Sequence, residues 1–139
     1  MTLCPYRNAG LLPLSSGARR ILAESGWAIL KPPAIEACDG VEFARMFGAV
    51  VARILDDTQP DAVVVFGGDT AYGILSALGC PPLRSLGEAV PGVPIASIAA
   101  RELASALPGR CRDLLLAAKA GGFGANDAVA RIRAGLTGV

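Results

Sequence analysis

Apolar residues fall into two kinds of pattern along the chain. Over residues 41–56, Phe43, Phe47, Val50, Val51, Ile54 and Leu55 recur at three- and four-residue spacings. That period predicts a helix with one apolar face. Asp39 stands where an N-cap is expected, Glu42 follows three residues later as its capping-box partner, and residues 57–60 (DTQP) end the element. Residues 61–66 (DAVVVF) and 113–118 (DLLLAA) are instead continuously apolar after one aspartate. Runs of that length predict buried strands, and the first, bounded by Pro60 and Gly67, is expected at the centre of a parallel arrangement.

The remaining elements fill in around these. A helix is predicted over residues 18–24, stopped by Ser25 and Gly26. A short strand over 27–30 ends at Pro32 and Pro33, and residues 1–16 form an irregular leader or a short edge strand. A helix over 71–78 closes at residues 79–82 (GCPP). Strands over 83–90 and 94–99 join through Pro91, Gly92 and Val93, and a helical turn covers 101–106. A last helix runs over 126–134. Strands that alternate with helices, with no internal repeat or linker, predict one α/β domain over residues 1–139. It should have three layers, with a mostly parallel or mixed sheet flanked by helices.

Composition narrows the function. In 139 residues, 53% are apolar and 18% charged, which excludes disorder as the overall state. A net charge of +1 supplies no basic surface for nucleic acid, and 5% aromatics supply few stacking platforms. The chain has no His, which removes His-dependent triads, His metal sites and His pH switches. Cys4, Cys38, Cys80 and Cys111 are widely separated, and no CxxC occurs, so free and mostly buried thiols in a reducing cytosol are expected. No apolar run is long enough to span a bilayer, and the start shows no signal peptide. The expectation is a cytoplasmic protein with neither nucleic acid nor membrane as partner.

Candidate chemistry sits in two loops, each after an apolar strand, at the edge where open α/β sheets bind ligands. The first is Gly67, Gly68, Asp69 and Thr70. Paired glycines let backbone amides approach a phosphate, and the helix that follows aims its free N–H groups at the same point. Thr70 could bond a phosphate oxygen, and Asp69 could hold Mg²⁺ through water. The same residues also suit a plain strand-to-helix turn capped by Asp69 or Thr70. The second loop is residues 119–127 (KAGGFGAND). Here Lys119 would neutralise phosphate while Gly121, Gly122 and Gly124 keep the backbone open. The competing reading is a flexible turn capped by Asn126. Neither loop is a Walker A sequence or a GxGxxG fingerprint, and no metal-ligand cluster of the protein's own is expected.

Other candidates read as structural. Glu88 is a solvated strand-end carboxylate, Asp56 and Asp57 are a helix terminus, and Trp27 is a core or interface residue. Cys80 and Cys111 have no neighbouring base to activate them.

The order GGDTA, LG, PGVP and KAGGFG followed by Asn126 and Asp127 resembles the C-terminal nucleotide-binding domain of the four-carbon acid sugar kinases. The likeness runs over residues 18–134. Members of that family phosphorylate threonate-, erythronate- or 3-oxo-tetronate-type sugar acids with ATP. The resemblance implies that Gly67, Gly68, Asp69 and Thr70, with Lys119, Gly121, Gly122 and Gly124, contact ATP, and that Mg²⁺ arrives with the nucleotide. Ala120 replaces a more usual small hydroxyl residue. Residues 12–20 (LPLSSGARR) stand where the family has a Gly-Ser-type strand and turn, with Ser15 or Ser16 as nearest substitutes.

The family's other domain binds the sugar acid and carries an Asp-Asp-x-Thr-Gly-type motif, which this chain lacks. Phosphoryl transfer needs an aligned acceptor. A partner domain or subunit is therefore expected to complete a kinase, and no catalytic residue is assigned on this chain. The alternative is a non-catalytic nucleotide- or phosphate-binding or assembly module, with a homo-oligomer covering apolar surface.

Overall fold

The computed structural model describes residues 12–32, 39–122 and 124–139. The helices are α1 (Leu12–Ser25), α2 (Gly40–Thr58), α3 (Gly68–Ala77), α4 (Ala100–Leu103) and α5 (Ala128–Leu136). The strands are β1 (Ala62–Phe66), β2 (Arg84–Val90), β3 (Val93–Ile98) and β4 (Leu114–Lys119). They form one four-stranded sheet in the order β1-β4-β3-β2. β1 runs parallel to β4, while β3 is antiparallel to both β4 and β2. The architecture is thus the expected α/β type, with a mixed sheet.

Period-two alternation along the strands builds the layers. Val65, Leu114, Leu116 and Ile98 face one cluster with Phe47, Val51 and Leu55 of α2 and Ile74 of α3. Ala117, Val93 and Ile95 face the other, where Ile132 of α5 is fully buried. Helices therefore cover both faces, as three layers require.

The amphipathic stretch forms α2 as its period predicts. Val41 N donates to Asp39 Oδ1 at 2.9 Å, which caps the first turn. α2 and α3 pack backbone to backbone: a Cβ on Gly48 would land on the Gly73 carbonyl, and one on Gly73 on the Ala44 carbonyl. On its other side α2 packs against α1 through Ala18, Val50 and Ile54.

β1 lies at one edge of this sheet, not at its centre. β3 takes the far side of β4, so β4 and β3 are the central strands. The unbroken apolar run of β1 has another cause. Val65 faces the α2/α3 cluster and Val64 the α5 cluster, so both faces need apolar side chains.

Residues 27–30 form no strand. Leu30 packs into the core, Ile29 is exposed, and no strand pairs with the segment among the described residues. Trp27 is 42% exposed, and Arg133 of α5 lies over its ring, 5.3 Å from the centroid.

α1 starts at Leu12, so residues 12–16 are helical instead of belonging to an irregular leader. Residues 1–11 lie outside the described residues. Gly26, at φ 73°, ends this helix as expected.

Two connections fix the geometry at the ends of the strands. Val90 pairs with Val93 across a tight turn, where Gly92 takes the positive φ of 83° that follows proline in a type II turn. Below β1 and β4, the Arg110 side chain is buried and clamps three carbonyls. Its Nη2 donates to Pro60 O at 2.8 Å and Asp113 O at 3.0 Å, and its Nε donates to Arg112 O at 2.8 Å.

Cys80 and Cys111 are free but exposed, against the expectation of burial. Both sit in loops, Cys80 at a positive φ of 51° after Gly79 and Cys111 between two arginines. Cys4 and Cys38 lie outside the described residues. No described helix is long and apolar enough to cross a membrane.

Candidate functional site

Parallel pairing of β1 with β4 brings the two glycine loops together. The register sets Phe66 beside Lys119, the last residues of the two strands. The pairing extends one step further, because Gly67 N donates to Lys119 O at 2.9 Å. Gly121 then passes so close that a Cβ on it would sit 3.8 Å from Gly67 Cα.

α3 begins at Gly68, earlier than the expected start at Ala71. Gly67 is its N-cap, at φ 99°, a conformation that favours glycine. Neither Asp69 nor Thr70 caps the helix. Ala71 N donates to Gly67 O at 3.1 Å and closes the first turn. The helix end therefore presents backbone N–H groups with no side chain drawn over them. Nothing lies within 4 Å of a Cβ built on Gly68 or on Gly122. Asp69 is exposed and Thr70 half-buried.

The second loop is shaped around Lys119. Its Nζ donates to Ala120 O at 2.8 Å and lies 5.5 Å from the centroid of the Phe66 ring. Gly124 supports the lysine stem: a Cβ there would come 2.7 Å from Lys119 Cε, and its φ of 120° favours glycine. Asp127, not Asn126, occupies the N-cap of α5, and its carboxylate makes no capping bond.

An open cleft of about 300 Å³ lies between the β2–β3 turn, the second loop and α5. Lys119, Ala120, Gly124 and Ala125 line it from the loop, Val90, Pro91, Gly92 and Val93 from the turn, and Asp127, Ala128, Arg131 and Ile132 from the helix. Of the predicted residues, Lys119 and Gly124 line the cleft. Gly67, Gly68, Asp69, Thr70, Gly121 and Gly122 do not line it, and Gly67 connects to it through its hydrogen bond to Lys119.

Sequence reasoning did not single out Arg131, which also lines the cleft. The one signal in the sequence was its spacing, since Ala128, Arg131 and Ile132 fall at positions that share one helix face.

The secondary candidates prove structural. Gly92 N donates to Glu88 Oε1 at 3.3 Å, tying down the β2–β3 turn. Asp57 pairs with Arg19 at 2.6 Å, and Asp56 accepts from Gly109 N at 3.4 Å.

Among the described residues, no three His, Cys, Asp or Glu side chains cluster as a metal site. The donor set at the glycine loops, one exposed carboxylate beside free amides, suits Mg²⁺ shared with a ligand's phosphates more than an ion held by protein alone.

Comparison with known proteins gives concordant matches. Residues 28–129, well over half the chain, match the family of nucleotide-binding C-terminal domains. A D-threonate kinase of Bordetella bronchiseptica is 31% identical over 93 residues, which are 67% of this chain and 21% of the kinase. The chain thus spans about a fifth of that relative's length.

A solved structure of a domain of unknown function from the same organism, a domain-swapped dimer with bound citrate, is similar with a TM-score of 0.65 and 28% identity. The match covers 84% of this chain and 28% of that one. A second crystal form of it, at 24% identity and a TM-score of 0.62, covers 88% of this chain and 30% of that one, and agrees in fold.

Proposed function

This chain belongs to the family of nucleotide-binding C-terminal domains, and on that footing we propose that it is the ATP-binding domain of a four-carbon acid sugar kinase-like protein. The observation that carries this reading is the hydrogen bond from Gly67 N to Lys119 O. It joins the two glycine loops at the ends of two parallel strands.

In this reading, the amides at the start of α3 receive nucleotide phosphates. Gly68, Gly121 and Gly122 let the backbone come close, and Lys119 offsets charge. Thr70 adds a hydroxyl beside the Gly67 turn, with Oγ1 3.7 Å from where a Cβ on Gly67 would stand. Asp69 is the residue that would hold Mg²⁺ through water, and the ion would neutralise phosphate charge when bound.

The acceptor and the residues that align it belong to a partner domain, in line with a chain that matches 21% of a D-threonate kinase. The exposed thiols of Cys80 and Cys111 fit a reducing, cytoplasmic setting. The second reading, a non-catalytic nucleotide-binding or assembly module, is favoured by α1, which runs as helix through Ser15 and Ser16 where the resembled family has a strand and turn.

Calorimetric titration of the whole chain with Mg-ATP, Mg-ADP and inorganic phosphate tests the proposal. Saturable binding of both nucleotides is expected, tighter than phosphate. Loss of one charge-assisted contact in Lys119→Ala should weaken it about tenfold. No heat and no thermal stabilisation at millimolar nucleotide would remove the ATP reading. Nucleotide binding without acceptor-dependent ATP loss, once the partner domain is supplied, would select the non-catalytic one.

A further inference from the structure

α5 carries two arginines, and the fold treats them differently. Arg133 lies against the Trp27 ring. Arg131 lines the cleft, and its guanidinium has no ion-pair or hydrogen-bond partner among the described residues. Ile132, the next residue, is fully buried with Val93, Ile95 and Ala117, which fixes the helix face that presents Arg131.

Lys119 is also held, by Gly124 against its stem, and its ammonium meets a carbonyl instead of a carboxylate. Asp127 lines the same cleft but makes no ion pair with either cation among the described residues. Two cations face one carboxylate there, over walls that include the apolar Val93 and Ile132. That combination suits an anionic ligand with an apolar body.

We propose that Arg131 is a phosphate-binding residue of the cleft, which with Lys119 selects a nucleoside di- or triphosphate over a monophosphate. The inference rests on the nucleotide reading above and extends it to a residue outside both glycine loops. An arginine fork is suited to this, because it can give two parallel hydrogen bonds to one phosphate.

The test titrates the whole chain and its variants with ATP, ADP and AMP in the presence of Mg²⁺. Arg131→Met, which keeps the stem and removes the charge, should weaken ATP and ADP about tenfold and AMP less. Arg131→Lys should recover part of the loss, and Arg133→Met should bind like the parent. Thermal unfolding of Arg131→Met should match the parent, because the residue is exposed. A parent that binds while Arg131→Met binds equally well overturns this inference and leaves the glycine-loop site standing. An equal loss for ATP, ADP and AMP also overturns it, since the residue would then not discriminate by the added phosphates. A parent that binds no nucleotide overturns both readings together.

Discussion

The two ends of the parallel pair β1–β4 differ in how far polar side chains tie them together. Where the strands begin, side chains add to a backbone joint. Arg110 holds the carbonyls of Pro60, Arg112 and Asp113, Arg112 pairs with Asp61 at 2.6 Å, and Leu115 N donates to Asp61 O at 3.0 Å. Where the strands finish, the hydrogen bond that joins them is backbone, Gly67 N to Lys119 O, and the one side-chain contact described is Lys119 Nζ over the Phe66 ring. At the first end polar groups meet one another, apart from Arg110 Nη1, which has no partner among the described residues. At the second, the start of α3 has no side-chain cap, and the Lys119 ammonium meets only the Ala120 carbonyl and the Phe66 ring. An end tied by its own side chains lets the opposite end stay open without loosening the strands between them, the usual division between scaffold and loop.

Substitutions at each end should separate the two roles. The largest effect on stability is expected from Arg110→Ala, which strands three carbonyls in a buried place. Burial, reinforced by Arg112, already pulls the Arg110 pKa below the ordinary arginine value, with Asp61 and Asp113 opposing, and its Nη1 has no partner among the described residues. Removing it should cost about 3 kcal/mol in urea unfolding while nucleotide affinity under folded conditions is unchanged. A loss of affinity with intact stability would break the comparison.

Gly68→Val should do the reverse. Its Cβ meets open space, so stability should move by less than about 1 kcal/mol, whereas branched methyls over the start of α3 should weaken Mg-ATP roughly 100-fold. The smallest change is expected from Arg112→Ala. With 65% and 76% of the two side chains exposed, its bridge to Asp61 should be worth no more than about 0.5 kcal/mol, read by the same unfolding curves. That result would place the strength of this end in Arg110 and not in the surface pair.

The same contrast between local and distant contacts governs how much of the molecule is legible in its sequence. The α2 face, the capping by Asp39, the two apolar strands and both glycine loops follow from local rules: period, capping chemistry and the flanking Pro60 and Gly67. The position of β1 does not. A run buried on both faces reads alike at an edge or in the centre, and only the antiparallel return of β3 onto β4 decides it.

The absence of a strand over 27–30 is equally non-local, because pairing needs a neighbour that no residue in that segment specifies. Arg131 was hidden for a third reason. An arginine in the second turn of a surface helix is commonplace, and its site exists only because the β2–β3 turn folds back towards α5. The Arg110 clamp likewise joins residues about fifty positions apart, from Pro60 to Arg110.

The contact between Trp27 and Arg133 also gives the fold an optical reporter. Trp27 is the only tryptophan in the chain, so its indole emission comes from a single place. That place is the packing of the segment after α1 on α5, the helix that carries Arg131 into the cleft. The molecule is thereby labelled, without any added dye, at the back of the helix whose front forms a wall of its candidate site.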